Sequence, residues 1–269
     1  MIKEGSKKEI LGGVDITSYE DFLTEEESAE LIKFFNSSAD MWKTICFYNS
    51  YGMSAGQPYQ SKDGTSTHGT SLDDGYIDRL KERFTDYVSD AAGRPMKLNS
   101  IHAQKWEIGA YANDHSDNSE LDGSDSGWMD NKWFSGLYLN SQPDYEGGVL
   151  TFKDHDFAVV PKAGTLLAFP GGIENIHSVT PITNGTRYTL ISFWDFVDAE
   201  YTEEQMKFRT DFIKRERIHQ YKLKQFWKQG IDDPILDDPY SPIPGVDFNE
   251  MGTPFKVDED GNFLEELPM

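Results

Sequence analysis

The sequence predicts a mainly β protein with supporting helices, an α+β chain whose core is a β-sandwich or jelly roll. Three observations carry that expectation. After Pro95 the apolar period changes, and six or more short runs rich in aromatic and β-branched residues follow. Gly, Pro, Asn or Asp bounds each run, with no helix-length period between them. Helical spacing is confined to the segments before residue 95 and after residue 198.

Taken in order, residues 1–20 are polar and carry little pattern. Asp21-Phe22-Leu23 leads into Thr24-Glu25-Glu26-Glu27, a capping box in which Thr24 caps a helix and Glu27 reaches back. Leu31, Ile32, Phe34 and Phe35 supply its apolar face, so a helix is expected over about 25–35. Residues 48–70 are rich in Gly, Ser and Tyr without a period, and read as a long ordered loop with room for a short hairpin. A second helix follows Ser71, with Asp74 at the capping-box position. Ile77, Leu80, Phe84 and Val88 share one face of it, and Gly93-Arg94-Pro95 ends it. The strand runs are 97–111, 133–140, 149–152, 157–160, 164–169 and 186–196, with Gly147-Gly148 and Pro170-Gly171-Gly172 as the strongest turn signals.

Thr202-Glu203-Glu204-Gln205 opens a last helix running towards Lys228, apolar at Met206, Phe212, Ile213, Leu223, Phe226 and Trp227. Its basic positions, among them Lys207, Arg209, Lys214 and Arg215, read as a solvated face. Residues 229–269 hold eleven acids against one base, Lys256, and six prolines. They read as an extended tail held by Tyr240, Phe248 and Phe255, or as partly disordered. The expected organisation is an N-terminal helical support region over 1–94, a core over 95–198, and a C-terminal helix with an acidic, Pro-rich tail over 199–269.

Composition excludes several classes. A net charge of −22 and a pI near 4.5 disfavour nucleic-acid phosphate and anionic membrane as partners, since both need a positive surface. Cys46 is the single cysteine, so no intrachain disulfide is expected. The charged N-terminus lacks a signal-peptide apolar core, and no apolar run approaches the ~20 residues of a spanning helix. A soluble, cytoplasmic protein is the expectation.

The chemistry concentrates in His115-Ser116-Asp117, followed sixty residues after the aspartate by His177 and ten later by Arg187. Two imidazoles and a carboxylate suit a borderline metal, and with open positions they make the facial triad of non-haem Fe(II) oxygenases. If the triplet lies on a strand, i and i+2 share a face, so His115 and Asp117 converge while Ser116 turns away. His177 must then come from another strand. His155 sits in a polar turn and reads as solvent-facing, and His68, His102 and His219 lack a carboxylate at useful spacing. The acidic loop from Asp117 to Asp130 lacks EF-hand spacing and reads as a solvated lid.

The ordered set continues through Tyr138-Leu139-Asn140, Glu146-Gly147-Gly148, Pro161-Lys162-Ala163-Gly164, His177 and Gly185-Thr186-Arg187-Tyr188-Thr189 to Trp194. From Lys105 to Phe196 this order and spacing resemble the 2-oxoglutarate- and Fe(II)-dependent dioxygenases, in particular their prolyl 4-hydroxylase-like branch. The resemblance implies a double-stranded β-helix with the metal between its sheets, and His115, Asp117 and His177 as iron ligands. It implies that Arg187 binds the distal carboxylate of 2-oxoglutarate, with Tyr138 and Thr189 as further contacts. A guanidinium suits that task because its planar fork matches a carboxylate and keeps its charge. One departure stands out: the branch carries a tyrosine three residues before the first histidine, whereas Tyr111 lies four before His115.

The implied activity is hydroxylation of a C–H bond, of a prolyl or other amino-acid side chain in a peptide or free, with Fe(II), 2-oxoglutarate and O2, release of succinate and CO2, and ascorbate as a compatible reductant. The alternative is a catalytically inactive jelly roll that binds metal or a partner. Oxidative demethylation of nucleic acid fits poorly with the net charge and with a single Arg ten residues after His177. The retained Asp117 argues against a halogenase. The loops 48–70 and 116–132, which would shape a substrate site, carry no readable motif.

Overall fold

Most of the sheet follows Pro95, and the sheet curls on itself. The computed structural model describes residues 2, 6–12, 15–37, 43–47, 50–56, 72, 75–227, 241–248 and 254–267. They fall into two compact units, Met1–Ala199 and Glu200–Met269.

The first unit begins with β1 (Lys8–Ile10) and β2 (Thr17–Tyr19), short strands in the stretch read as patternless. They form because Ile16 and Tyr19 are buried, although too few apolar residues surround them to show a period. Helix α1 (Glu25–Asn36) starts at the expected capping box, with Thr24 and Glu27 bonded reciprocally, and buries Leu31, Phe34 and Phe35. A hairpin of β3 (Lys43–Phe47) and β4 (Ser50–Gly56) follows, its second strand lying in the stretch 48–70 that reads as a loop with room for a short hairpin. Helix α2 (Tyr76–Ala92) buries Ile77, Leu80, Phe84 and Val88 as their spacing predicts. Its N-cap is Gly75, without a side-chain bond, while Ser71 and Asp74 lie outside the described residues. It stops at Gly93, whose φ of 66° is the left-handed turn that glycine adopts without strain.

The remaining strands of this unit are β5 (Met96–His115), β6 (Trp133–Tyr138), β7 (Tyr145–Gly147), β8 (Leu150–Phe152), β9 (Phe157–Val159), β10 (Leu166–Pro170), β11 (His177–Val179), β12 (Ile182–Gly185) and β13 (Arg187–Phe196). The main path runs β1-β2-β10-β6-β13-β5-β11-β8-β9, all antiparallel, while β12 pairs with β7. Strand β5 turns the corner of the jelly roll. Its residues Met96–Trp106 pair with β13, and its end at Ala112 and His115 pairs with β11. Gly109 sits between these two stretches with φ 90°, a conformation that bends the strand from one partner to the next.

Two apolar clusters follow from the period of two. Leu166 and Ala168 join Leu137, Leu190, Trp194 and the apolar faces of α1 and α2 on the outer side of the sheet. Leu167 and Phe169 join Trp106, Tyr138, Tyr145, Leu150 and Phe152 inside the curl. All four residues of the β10 run 166–169 are fully buried, which explains why it reads as continuously apolar rather than alternating. Burying each such large side chain contributes roughly 1.5–3 kcal/mol.

In the second unit Thr202 and Gln205 cap α3 (Glu203–Trp227) as expected. The tail that follows is not merely extended. It forms a three-stranded meander of β14 (Val246–Phe248), β15 (Pro254–Val257) and β16 (Phe263–Glu266). Asp258 builds the last turn by accepting from the amides of Asp260 and Asn262, with Gly261 at φ 83°. Phe248 packs edge-on to Tyr221, and Phe255 packs against Phe263. Tyr240 lies outside the described residues. No described helix is long and apolar enough to cross a membrane.

Candidate metal centre and buried arginine

Strand β5 ends at His115, and β11 begins at His177 directly opposite it in the ladder. The two rings therefore meet, with centroids 4.2 Å apart. Asp117 arrives by a route other than the expected strand pleat. The strand has ended, and the Gly171 carbonyl holds the turn by accepting from the amides of Asp117 at 2.8 Å and Asn118 at 3.1 Å. Ser116 turns aside to the Ser119 carbonyl, 2.7 Å from its hydroxyl. Asp117 Oδ1 lies 3.9 Å from His115 Nε2, and Oδ2 lies 3.9 Å from His177 Nε2. One donor atom from each residue falls within 4.8 Å of the others.

The protonation pattern suits a cation. His115 Nδ1 donates to the Asn113 carbonyl at 2.7 Å, and His177 Nδ1 donates to the Asn175 carbonyl at 3.0 Å. A carbonyl has no proton to give, so each neutral ring keeps its proton on Nδ1 and presents the Nε2 lone pair towards Asp117. Burial holds both imidazoles down at about 4, the nearby His177 adding to the effect on His115. It also pushes the Asp117 carboxyl up to about 6. Asp117 Oδ2 is buried without a hydrogen-bond partner among the described residues. Two inward lone pairs and an orphaned carboxylate oxygen fit a divalent metal such as Fe(II), bound on one face.

Arg187 opens β13, paired across the ladder with Trp106 of β5. It is 3% exposed, and its Nε and Nη1 have no hydrogen-bond partner among the described residues. The guanidinium carbon lies 5.0 Å from the Tyr138 ring centre and 5.3 Å from that of Trp106. Tyr145 is fully buried, and its hydroxyl also lacks a hydrogen-bond partner among the described residues. Burial raises both phenols, and the charge of Arg187 opposes that shift. The Gly147-Gly148 turn makes room for the arginine, since a Cβ on Gly148 would stand 3.0 Å from Arg187 Cδ and 2.6 Å from Ile182 Cδ1. A buried guanidinium with two open donors, beside an open phenol, fits a carboxylate ligand.

Thr189, two residues along β13, is also buried, and its hydroxyl donates to Gln104 Oε1 at 3.2 Å. Trp106 Nε1 donates to the same oxygen at 3.1 Å, which fixes the Gln104 amide, because an indole N–H can only donate. Tyr111 lies in the part of β5 paired with Tyr51 of β4 and is outside the metal cluster. His155, expected to face solvent, is half-buried because its Nε2 reaches the Glu174 carbonyl at 2.7 Å. His68 lies outside the described residues. Sequence reasoning missed Gly171, Gln104 and Tyr145. Gly171 stood inside a recognised turn signal and Tyr145 beside Glu146-Gly147-Gly148, whereas Gln104 carried no signal. A cleft of about 350 Å³ beside His115 is lined by Asp114, Ser116, Ser119, Glu120, Leu121 and Asp122.

Over its sheet region the chain is similar to known proteins. The 2OG-Fe(II) oxygenase superfamily matches residues 101–195. A PKHD-type hydroxylase of Gloeothece citriformis is 28% identical over 148 residues, covering 51% of this chain and 65% of that protein. Human prolyl 3-hydroxylase 3 is 36% identical over 104 residues, covering 34% of this chain and 14% of that protein. The chain thus spans less than two thirds of either relative. Among solved structures, a Trichoplax adhaerens prolyl hydroxylase in complex with a hypoxia inducible factor peptide fragment superposes with a TM-score of 0.50. It is 16% identical, with 72% of this chain and 86% of that chain covered, and it shares the fold.

Proposed function

We propose, from the premise that residues 101–195 belong to the 2OG-Fe(II) oxygenase superfamily, that this chain hydroxylates a C–H bond of a prolyl or other amino-acid side chain. The reaction consumes 2-oxoglutarate and O2 and releases succinate and CO2. The buried arginine carries the reading. A His-Asp-His cluster alone serves many metal proteins, but a buried guanidinium with open donors calls for an anionic co-substrate.

In this reading His115, Asp117 and His177 hold the metal, and Fe(II), when bound, supplies the redox chemistry that the side chains lack. The chain's own residues do the rest. The Asn113 and Asn175 carbonyls fix both ring orientations. Arg187 receives the distal carboxylate of 2-oxoglutarate, Tyr138 lies against that guanidinium, and Thr189 holds Gln104 and through it the Trp106 indole. Burial of Tyr138, Tyr145, Trp106 and Arg187 keeps water from competing for that carboxylate.

A peptide or amino-acid-like substrate is supported by the prolyl hydroxylase relatives, one of them solved with a peptide fragment. Nucleic acid is disfavoured by the charge of −22. A cytoplasmic setting belongs to the same proposal, in keeping with a single cysteine.

The test is anaerobic titration of the Fe(II)-loaded protein with 2-oxoglutarate, after zinc and copper have been stripped. The expected result is a saturable visible charge-transfer band that is absent in His177→Ala. Folded, iron-loaded protein that gives no band would overturn the proposal and favour a jelly roll without turnover.

A further inference from the structure

The segment from Pro170 to Asn175 stands behind two of the three candidate ligands. The Gly171 carbonyl receives the Asp117 amide at 2.8 Å, and the Asn175 carbonyl receives His177 Nδ1 at 3.0 Å. The segment is closed on itself by Asn175 Nδ2 donating to the Pro170 carbonyl at 3.1 Å, and by the Asn175 amide donating to the Gly172 carbonyl at 3.0 Å. Its last turn, Ile173–Asn175, is a single turn of 3₁₀ helix, which resists displacement weakly by itself.

A second short turn, Lys153–His155, braces it from outside. The Lys153 amide donates to the Ile176 carbonyl at 3.1 Å. His155 Nε2 lies 2.7 Å from the Glu174 carbonyl and 3.2 Å from Asn175 Oδ1. Since the carbonyl only accepts, Nε2 carries the proton, and one N–H reaches both oxygens. The Asn175 amide orientation is set by its bond to Pro170, which leaves Oδ1 facing His155.

We infer that His155 is a positioning residue of the metal centre: by bonding to Glu174 and Asn175 it places the carbonyl that orients the His177 ring. The inference rests on the proposed metal-binding role of His115, Asp117 and His177. His155 lies outside the His-Asp-His cluster, and its influence on the His177 ring runs through Glu174 and Asn175. Side chains one step behind a ligand act in this way by holding ring tilt and donor direction.

The experiment compares Co(II) binding by the full-length wild type, His155→Ala, His155→Gln and His177→Ala, reading affinity, the visible ligand-field spectrum and the melting temperature of each metal-free protein. His155→Ala is expected to weaken Co(II) binding about 10- to 100-fold and to change the spectrum. His155→Gln is expected to restore most of both, because its amide nitrogen reaches the position of Nε2. Wild-type affinity and spectrum in His155→Ala would overturn the inference. So would a folded His155→Gln as impaired as the alanine variant. Should His155→Ala not fold, His155→Gln decides alone, with wild-type-like binding supporting the inference and weakened binding overturning it. Wild type that binds no Co(II), or His177→Ala that binds as wild type, would end the metal reading itself; intact wild-type binding with an unaffected His155→Ala ends only the role of His155.

Discussion

Arg187 and Asp117 are opposite charges, each buried with atoms that no other group among the described residues satisfies. Such groups lower stability unless a ligand completes them, so each substitution has two readouts. His177→Ala is expected to abolish Fe(II)-dependent turnover while circular dichroism stays native. Normal turnover would remove His177 from the site. Arg187→Ala is expected to raise the 2-oxoglutarate requirement on the order of a hundredfold or more, since breaking a buried charge pair costs about 3–5 kcal/mol. An unchanged requirement would take Arg187 out of the niche. The charge-free Arg187→Met should melt no lower than wild type without co-substrate, and should lose the melting-temperature rise that 2-oxoglutarate gives wild type. The sequence pointed to Arg187 through the family resemblance, ten residues after His177, whereas its burial came from the structure. The hydrogen bond of Thr189 to Gln104 was not legible, because the partners lie 85 residues apart in sequence.

At the scale of elements, two facing strands bring the histidines together and a turn aims Asp117. H-x-D suggests a pleat, yet Asp117 sits past the end of β5 on a turn secured to Gly171. Gly171 fits there because it lacks a side chain: a Cβ would stand 2.6 Å from the Asn131 carbonyl oxygen and 3.1 Å from Asp117 Cβ. Gly171→Ala must therefore shift one of these neighbours. The expected outcome is Co(II) binding weakened about tenfold with secondary structure retained. Titration showing wild-type affinity would mean that the turn absorbs the methyl group elsewhere. The sequence marked Pro170-Gly171-Gly172 as a turn. It could not say that the carbonyl between two of those residues holds a ligand, since hydrogen bonds across loops leave no period.

For the whole molecule, the buried centre links stability to pH. His115 and His177 fold with values near 4, below the 6.5 of a free imidazole, so their contribution is full above 6.5 and fades as pH falls towards 4. Asp117 behaves oppositely. Its folded value of about 6 exceeds the usual 3.8, so its contribution is full below 3.8 and is lost as pH rises through 6. A bound divalent cation needs Asp117 ionised, so protons compete with it first at that residue. The rise in melting temperature given by saturating Co(II) should be full at pH 7 and decline as pH falls through about 6. A rise that stays constant down to pH 5 would exclude Asp117 as a ligand.

What the sequence determined by itself is local or strictly ordered. Capping boxes at Thr24 and Thr202, the faces of α1 and α2, the short strand runs after Pro95 and the succession His115, Asp117, His177, Arg187 were all readable. Each depends on neighbours within a turn or on spacing along one chain. The tertiary structure alone decided which strand faces which: β11 against β5, the bend at Gly109, the pairing of Arg187 with Trp106, and the meander formed by an acidic tail. Those outcomes depend on burying two faces of one curled sheet at once. No window of sequence contains both faces.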